Sequence, residues 1–232
     1  MRSGVAIFPG SNCDRDIIVA IKKITPKAPL KLWHKDTEFP NLDLIVIPGG
    51  FSFGDYLRCG ALAARSPIVS NIKNHVSRGG SLLGICNGFQ ILIETGILPG
   101  SLIRNKNLLF TCKEIILEIQ NTIKSPFTEG FQIGEQFKIP VAHNEGNYFA
   151  PKPLLEELNN EGRIAFKYVK GNNLDNNISY NPNGSSNDIA GILSENGKVL
   201  GMMPHPERAI NSLHGGTDGL RFLIKCIENI VG

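Results

Sequence analysis

Ser81-Leu82-Leu83-Gly84-Ile85-Cys86-Asn87-Gly88-Phe89-Gln90 runs an apolar segment straight into one with helical spacing and sets a single cysteine at the junction. Residues 81–85 have the length and composition of a short buried strand, and residues 87–94 carry apolar side chains at helical intervals. Cys86 therefore falls on a strand-to-helix turn with Gly84 and Gly88 two residues to either side, the layout of a nucleophile elbow. Flanking residues without Cβ atoms let strand and helix approach while the nucleophile points outward. The thiol also stands at a helix N-terminus, where the helix dipole favours negative charge.

Working outward, residues 4–8 read as a first strand and Pro9-Gly10-Ser11-Asn12 as a turn capping a helix over residues 13–23. Residues 30–34 and 42–47 read as further strands, the second a continuous apolar run that stops at Pro48-Gly49-Gly50. A helix over residues 68–76 ends at Gly79-Gly80. Strands alternating with helices imply right-handed crossovers and a parallel sheet. After Gly96 the pattern shifts to strand-like runs at residues 113–119, 137–142, 164–168, 189–193 and 199–203, which suggests antiparallel pairing. Residues 169–188, rich in asparagine and glycine, read as a loop in which Asn183-Gly184 suits a two-residue hairpin turn. Residues 219–231 form a closing amphipathic helix. The expectation is one α/β domain over residues 1–232.

Composition narrows the chemistry. The net charge is +3 over 232 residues, and the basic residues form no stripe interleaved with aromatics, so no nucleic-acid partner is expected. No run reaches the roughly 18 apolar residues of a membrane span, and residues 1–9 lack the apolar core of a secretion signal. Five cysteines, at 13, 59, 86, 112 and 226, include no Cys-x-x-Cys pair, as suits reduced thiols in the cytoplasm. Asn177-Ile178-Ser179 and Asn183-Gly184-Ser185 match glycosylation acceptors only as loop chemistry.

Met202-Met203-Pro204-His205-Pro206-Glu207 supplies what Cys86 lacks. Prolines fix the backbone on both sides of His205, and Glu207 can accept its Nδ1 proton, which leaves Nε2 to exchange a proton with Cys86. His143 is the competing base, since Glu145 shares its loop; His75 reads as part of a polar helix face and His34 as structural. Cys13, Cys59, Cys112 and Cys226 lack the elbow context. The 48–54 loop lacks the lysine of a P-loop, so its glycines read better as an oxyanion hole, with N–H groups of Gly50 and Asn87 converging on a developing negative oxygen. At this point protease, deglycase and amidotransferase chemistry all remain open.

Gly84-Ile85-Cys86-Asn87-Gly88-Phe89-Gln90 with His205-Pro206-Glu207 resembles the class I (triad) glutamine amidotransferases, whose elbow reads Gly-x-Cys-x-Gly-x-Gln. Pro9-Gly10-Ser11-Asn12-Cys13-Asp14, residues 48–61 (PGGFSFGDYLRCGA), Pro140-Val141-Ala142-His143 and residues 201–208 (GMMPHPER) extend the resemblance to the purine-biosynthetic members over nearly the whole chain. The resemblance implies a flavodoxin-like three-layer open sheet, mostly parallel with some antiparallel strands in the C-terminal half. It implies Cys86, His205 and Glu207 as catalytic residues, Gly50, Asn87 and Gln90 as substrate-binding and oxyanion groups, and glutamine as substrate. It implies no cofactor or metal on this chain. The expected partners are a synthetase, which uses ATP with magnesium to convert formylglycinamide ribonucleotide into its amidine, and a small bridging subunit. Two rival readings are a cysteine peptidase or deglycase, in which histidine would stand where Asn87 does, and a regulatory subunit with a silent triad. One departure is Asn144, where the family pattern His-Gly-Glu-Gly has glycine.

Overall fold

A computed structural model describes residues 1–171 and 180–232. Its N-terminal half alternates β1 (Ser3–Ile7), α1 (Asp14–Ile24), β2 (Leu30–Trp33), β3 (Leu44–Ile47), α2 (Ile68–Ser77), β4 (Ser81–Ile85) and α3 (Asn87–Glu94). Helix α1 turns Ile17, Ile18, Ala20 and Ile21 inward, with Asp14 and Asp16 in its first turn and Lys22 and Lys23 in its last, each charge matched to the nearer dipole end. The second half adds β5 (Ser101–Ile103), β6 (Thr111–Ile119), β7 (Gln136–His143), β8 (Asn147–Phe149), α4 (Lys152–Asn160), β9 (Ile164–Val169), β10 (Ile189–Leu193), β11 (Val199–Met202) and α5 (Asp218–Val231).

Among the described residues the main sheet has nine strands in the order β2-β1-β3-β4-β11-β10-β9-β6-β7. The pairings from β2 to β11 are parallel. Those from β11 to β7 are antiparallel. Every residue of β3, β4, β10 and β11 is buried, so these strands are covered on both faces, as the unbroken apolar runs anticipate. Helix α5 packs on α1 and β7, and its Phe222 meets Phe131, Phe137 and Phe166 at ring separations of 5.6–6.2 Å. No helix among the described residues is long and apolar enough to cross a membrane.

The elbow depends on close backbone approach. A Cβ at Gly88 would lie 2.0 Å from the Ile47 carbonyl oxygen, and one at Gly84 would lie 2.9 Å from the Gly88 backbone. Helix α3 can therefore seat against β3 and β4 only with glycine at both places.

Three readings from the sequence change. Helix α4 and the two-stranded β5–β8 sheet lie where no elements were expected, although Pro151, Leu154, Leu155 and Leu158 do carry a helical signal. Residues 170–188 separate β9 from β10, so Asn183-Gly184 is not a two-residue hairpin turn. Asn183 is instead 1% exposed; its Nδ2 donates to the Gly146 carbonyl (2.8 Å) and the Tyr168 hydroxyl (3.2 Å), which excludes it as a glycosylation acceptor. Asn177-Ile178-Ser179 lies outside the described residues. His75 is buried, not on a polar face, with Nε2 2.9 Å from the Ser81 carbonyl.

His143 is locked in the same way. Its Nδ1 is 3.1 Å from Asn105 Oδ1 and its Nε2 is 3.4 Å from Asn183 Nδ2, a pairing that suits the neutral ring. Burial, and then the nearby charge of His205, push its pKa down to about 4. Asn144 has no positive φ, and its carbonyl accepts the Asn105 N–H at 2.9 Å, so the loop closes without glycine there.

Gly88→Ala is expected to cost about 3 kcal/mol or more, lowering Tm by at least roughly 6 °C in a thermal melt. The folded pKa of His143 lies below the ordinary value near 6.5, so the unfolded chain takes up the proton first as pH falls. Its stabilising contribution is whole above about pH 6.5 and declines towards pH 4, by roughly 2–3 kcal/mol at pH 4.5. The unfolding free energy from urea titrations should therefore fall by that much less between pH 7.5 and 4.5 in His143→Gln than in the parent.

Candidate active site

Sheet register brings the distant segments together. In the parallel β4–β11 ladder Gly84 pairs with Gly201 and Ile85 with Met202, and the Cys86 N–H extends it by donating to the Met202 carbonyl at 2.7 Å. The chain leaving β11 consequently runs beside the elbow as Met203-Pro204-His205. The His205 N–H donates to the Pro140 carbonyl on β7 at 2.9 Å, which anchors this segment to the antiparallel half. In the β3–β4 ladder Ile47 pairs with Gly84, so Pro48-Gly49 passes the elbow on its other side. A Cβ on Gly49 would lie 2.7 Å from His205 Cε1, 3.3 Å from Cys13 Sγ and 3.4 Å from Cys86 Cβ. The absent side chain is the space around which these three residues converge.

Cys86 has φ 52° and ψ −107°, a conformation side chains rarely adopt, as the elbow requires. It is 5% exposed, and its Sγ lies 3.6 Å from the Ala142 carbonyl. His205 Nδ1 is 2.6 Å from Glu207 Oε1, with both side chains almost fully buried. His205 Nε2 and Glu207 Oε2 have no hydrogen-bond partner. Burial opposes a charge on His205, but the Glu207 carboxylate and then the Cys86 sulfur outweigh it and hold the imidazole pKa well above its ordinary value. The arrangement has a nucleophile, a proton carrier and an orienting carboxylate in the relation acyl transfer requires.

Cys13 also belongs here, although the sequence reading set it aside. Its sulfur, a His205 nitrogen and a Glu207 oxygen lie within 4.8 Å of one another, and Arg208 Nη2 donates to the sulfur at 3.0 Å. The short contact of His205 Nδ1 with the Glu207 carboxylate orients the imidazole, as the base of a triad is oriented. The signal for Cys13 was topological, because it follows β1 at the C-terminal ends of the parallel strands, where crossover reversal opens a crevice.

The loop after β3 is clipped to the elbow helix. The Ser52 N–H donates to Asn87 Oδ1 at 3.1 Å, and Asn87 Nδ2 donates to Gln90 Oε1 at 2.8 Å. Gln90 Nε2 donates to the Glu145 carbonyl at 2.7 Å. Gly50 packs on Gly10 and Asn12 within the same loop cluster. Asn87 and Gln90 thus lie together on the elbow helix, and Gly50 stands two residues before the Ser52 N–H that Asn87 accepts. His143, with both ring nitrogens engaged by asparagines, is not placed to act as the base.

Residues 1–216 match the CobB/CobQ-like glutamine amidotransferase domain. The chain is 52% identical to the phosphoribosylformylglycinamidine synthase subunit PurQ of Mesorhizobium japonicum, over 94% of this chain and 95% of that protein. It is likewise 52% identical to that of Rhizobium meliloti, over 99% of each. The structure of PurLQS from Thermotoga maritima superposes with a TM-score of 0.84 at 40% identity, covering 99% of this chain and 97% of that one. With the elbow, the imidazole–carboxylate pair and these relatives in agreement, the chain belongs to the glutamine amidotransferases, in the family of the phosphoribosylformylglycinamidine synthase subunit PurQ.

Proposed function

We propose that Cys86, His205 and Glu207 are the catalytic triad of this amidotransferase. The chain is a glutaminase subunit of phosphoribosylformylglycinamidine synthase, acting in purine biosynthesis. The observation that carries the triad is the buried imidazole whose Nδ1 is held 2.6 Å from Glu207 while Nε2 is left without a partner beside the elbow cysteine.

In this reading the Cys86 thiolate attacks the side-chain amide carbon of glutamine. The carbonyl oxygen becomes negative opposite N–H groups of Gly50 and Asn87. As the C–N bond breaks, His205 gives its proton to the departing nitrogen, which leaves as ammonia, and Cys86 keeps a γ-glutamyl thioester. Water then gives a proton to His205 and attacks the thioester, the thiolate leaves, and glutamate is released. Glu207 holds the imidazole in the required tautomer and stabilises its charged form. Gln90 holds the glutamine.

Ammonia is a nucleophile only while unprotonated, so this reading sends it directly to a synthetase subunit. There ATP with magnesium activates the amide of formylglycinamide ribonucleotide for amidine formation. The matched PurLQS structure supports a complex with a synthetase and a small bridging subunit. On this reading residues 1–232 act as one amidotransferase domain in the cytoplasm, without a cofactor of its own.

Cys86→Ala should lower glutamine-dependent amidine synthesis in the reconstituted complex by about 10⁴-fold or more, while ammonia-dependent synthesis persists. Glutamine-dependent turnover in that variant would sink the assignment. Glu207→Gln should reduce kcat for glutamine hydrolysis by about 10²–10⁴-fold with the thioester still able to form, as single-turnover trapping would report.

A further inference from the structure

Two thiols stand beside one imidazole, and both have what activates a cysteine. Cys86 immediately precedes α3 and Cys13 immediately precedes α1, so each sulfur lies at the positive end of a helix. The Cys13 sulfur is within 4.8 Å of a His205 nitrogen and of a Glu207 oxygen. A Cβ at Gly49 would lie 3.3 Å from that sulfur and 3.4 Å from Cys86 Cβ, so the two cysteines flank the same gap. His205 can serve only one of them. Its Nδ1 is committed to Glu207, and Nε2 is the single nitrogen left to exchange a proton with a thiol.

The Cys13 sulfur is already engaged. Arg208 Nη2 donates to it at 3.0 Å, whereas the guanidinium's ion pair with Asp16 is looser, at 3.7 Å between two partly exposed side chains. Exposed pairs of that kind add little stability, so the contact with sulfur is the one that places the guanidinium. Backbone bonds fix both partners. The Cys13 N–H donates to the Gly49 carbonyl at 3.2 Å, and the Cys13 carbonyl accepts the Ile17 N–H at 3.2 Å. The Arg208 N–H donates to the His205 carbonyl at 3.2 Å. Arg208 therefore reaches from the segment that carries His205 and Glu207 to the sulfur that competes for the imidazole. A donor aimed at that sulfur holds the side chain in one rotamer, short of a bond to Nε2, which has no partner.

We propose that Arg208 is a positioning residue: by holding the Cys13 sulfur it keeps this second thiol off His205, so that Nε2 serves Cys86 alone. Without the guanidinium, Cys13 turns and gives its S–H proton to Nε2. That leaves a thiolate at Cys13 paired with the imidazolium, and Cys86 without its proton carrier. The inference rests on the triad reading above.

Glutamine hydrolysis by the reconstituted complex tests it. Arg208→Met, which keeps a long side chain without its donors, should lower kcat about tenfold and leave KM within about twofold. Adding Cys13→Ala to that variant should raise kcat again by about fivefold or more, because the competing thiol is gone. A double variant no faster than Arg208→Met would overturn the proposal. So would a loss in Cys13→Ala alone as large as that in Arg208→Met, which marks the cysteine itself as required. Peptide mapping after brief treatment with iodoacetamide supplies a second readout: alkylation at Cys13 should be about tenfold faster or more in Arg208→Met than in the parent, and an unchanged rate would overturn the proposal. Where Arg208→Met does not fold, Arg208→Gln is held to the same outcomes. A parent complex that hydrolyses no glutamine, or a Cys86→Ala complex that still does, would instead defeat the underlying triad reading.

Discussion

The contact on which the molecule turns is the seating of the first turn of α3 against the end of β3, where Gly88 meets the Ile47 carbonyl with no room for a methyl group. That approach forces the chain to leave β4 and enter α3 across a single residue, and Cys86 takes the resulting positive φ. The same approach places the loop after β3 directly alongside. The fold thereby holds a strained nucleophile and its neighbouring backbone in one rigid unit, and interactions that arise within packed elements need little reorganisation when charge develops.

The change from parallel to antiparallel pairing at β11 has a similar consequence. As a parallel neighbour of β4, β11 delivers its C-terminal residues to the end of the sheet where the elbow lies. As an antiparallel neighbour of β10, it ties that segment to a half of the sheet in which β7 ends at His143 and the loops carry Glu145 and Asn183. His205 is thus braced from both sides, by the parallel ladder before it and by the Pro140 carbonyl of β7. A purely parallel sheet would leave the imidazole on a loop with one support.

Much of this was legible in the sequence because it is local. The β4–Cys86–α3 elbow has matching bounds in sequence and structure, since apolar length and flanking glycines determine it directly. The Glu207 contact with His205 could be foreseen because two residues on a short proline-bordered segment can hardly avoid one another. What escaped is non-local. Cys13 looked like an ordinary helix-start residue, and only the order of strands puts it beside His205. Asn183-Gly184 has hairpin chemistry, yet the buried polar groups of Tyr168, Gly146 and His143 claim the asparagine. Helix α4 was passed over among neighbours with strand-like spacing, although Leu158 is completely buried against the rest of the protein.

Cys13 has a practical meaning for anyone counting sulfur. Of five cysteines only Cys112 is exposed; Cys13, Cys59, Cys86 and Cys226 are buried. An electrophile soaked into the native protein meets Cys112 first, and one that gains the cleft finds two thiols sharing a single imidazole. Stoichiometry of modification is therefore a poor proxy for occupancy of the nucleophile. Arg208, by holding the Cys13 sulfur at 3.0 Å, makes the second thiol a fixed feature of the cleft, and only peptide-level mapping separates its label from that on Cys86.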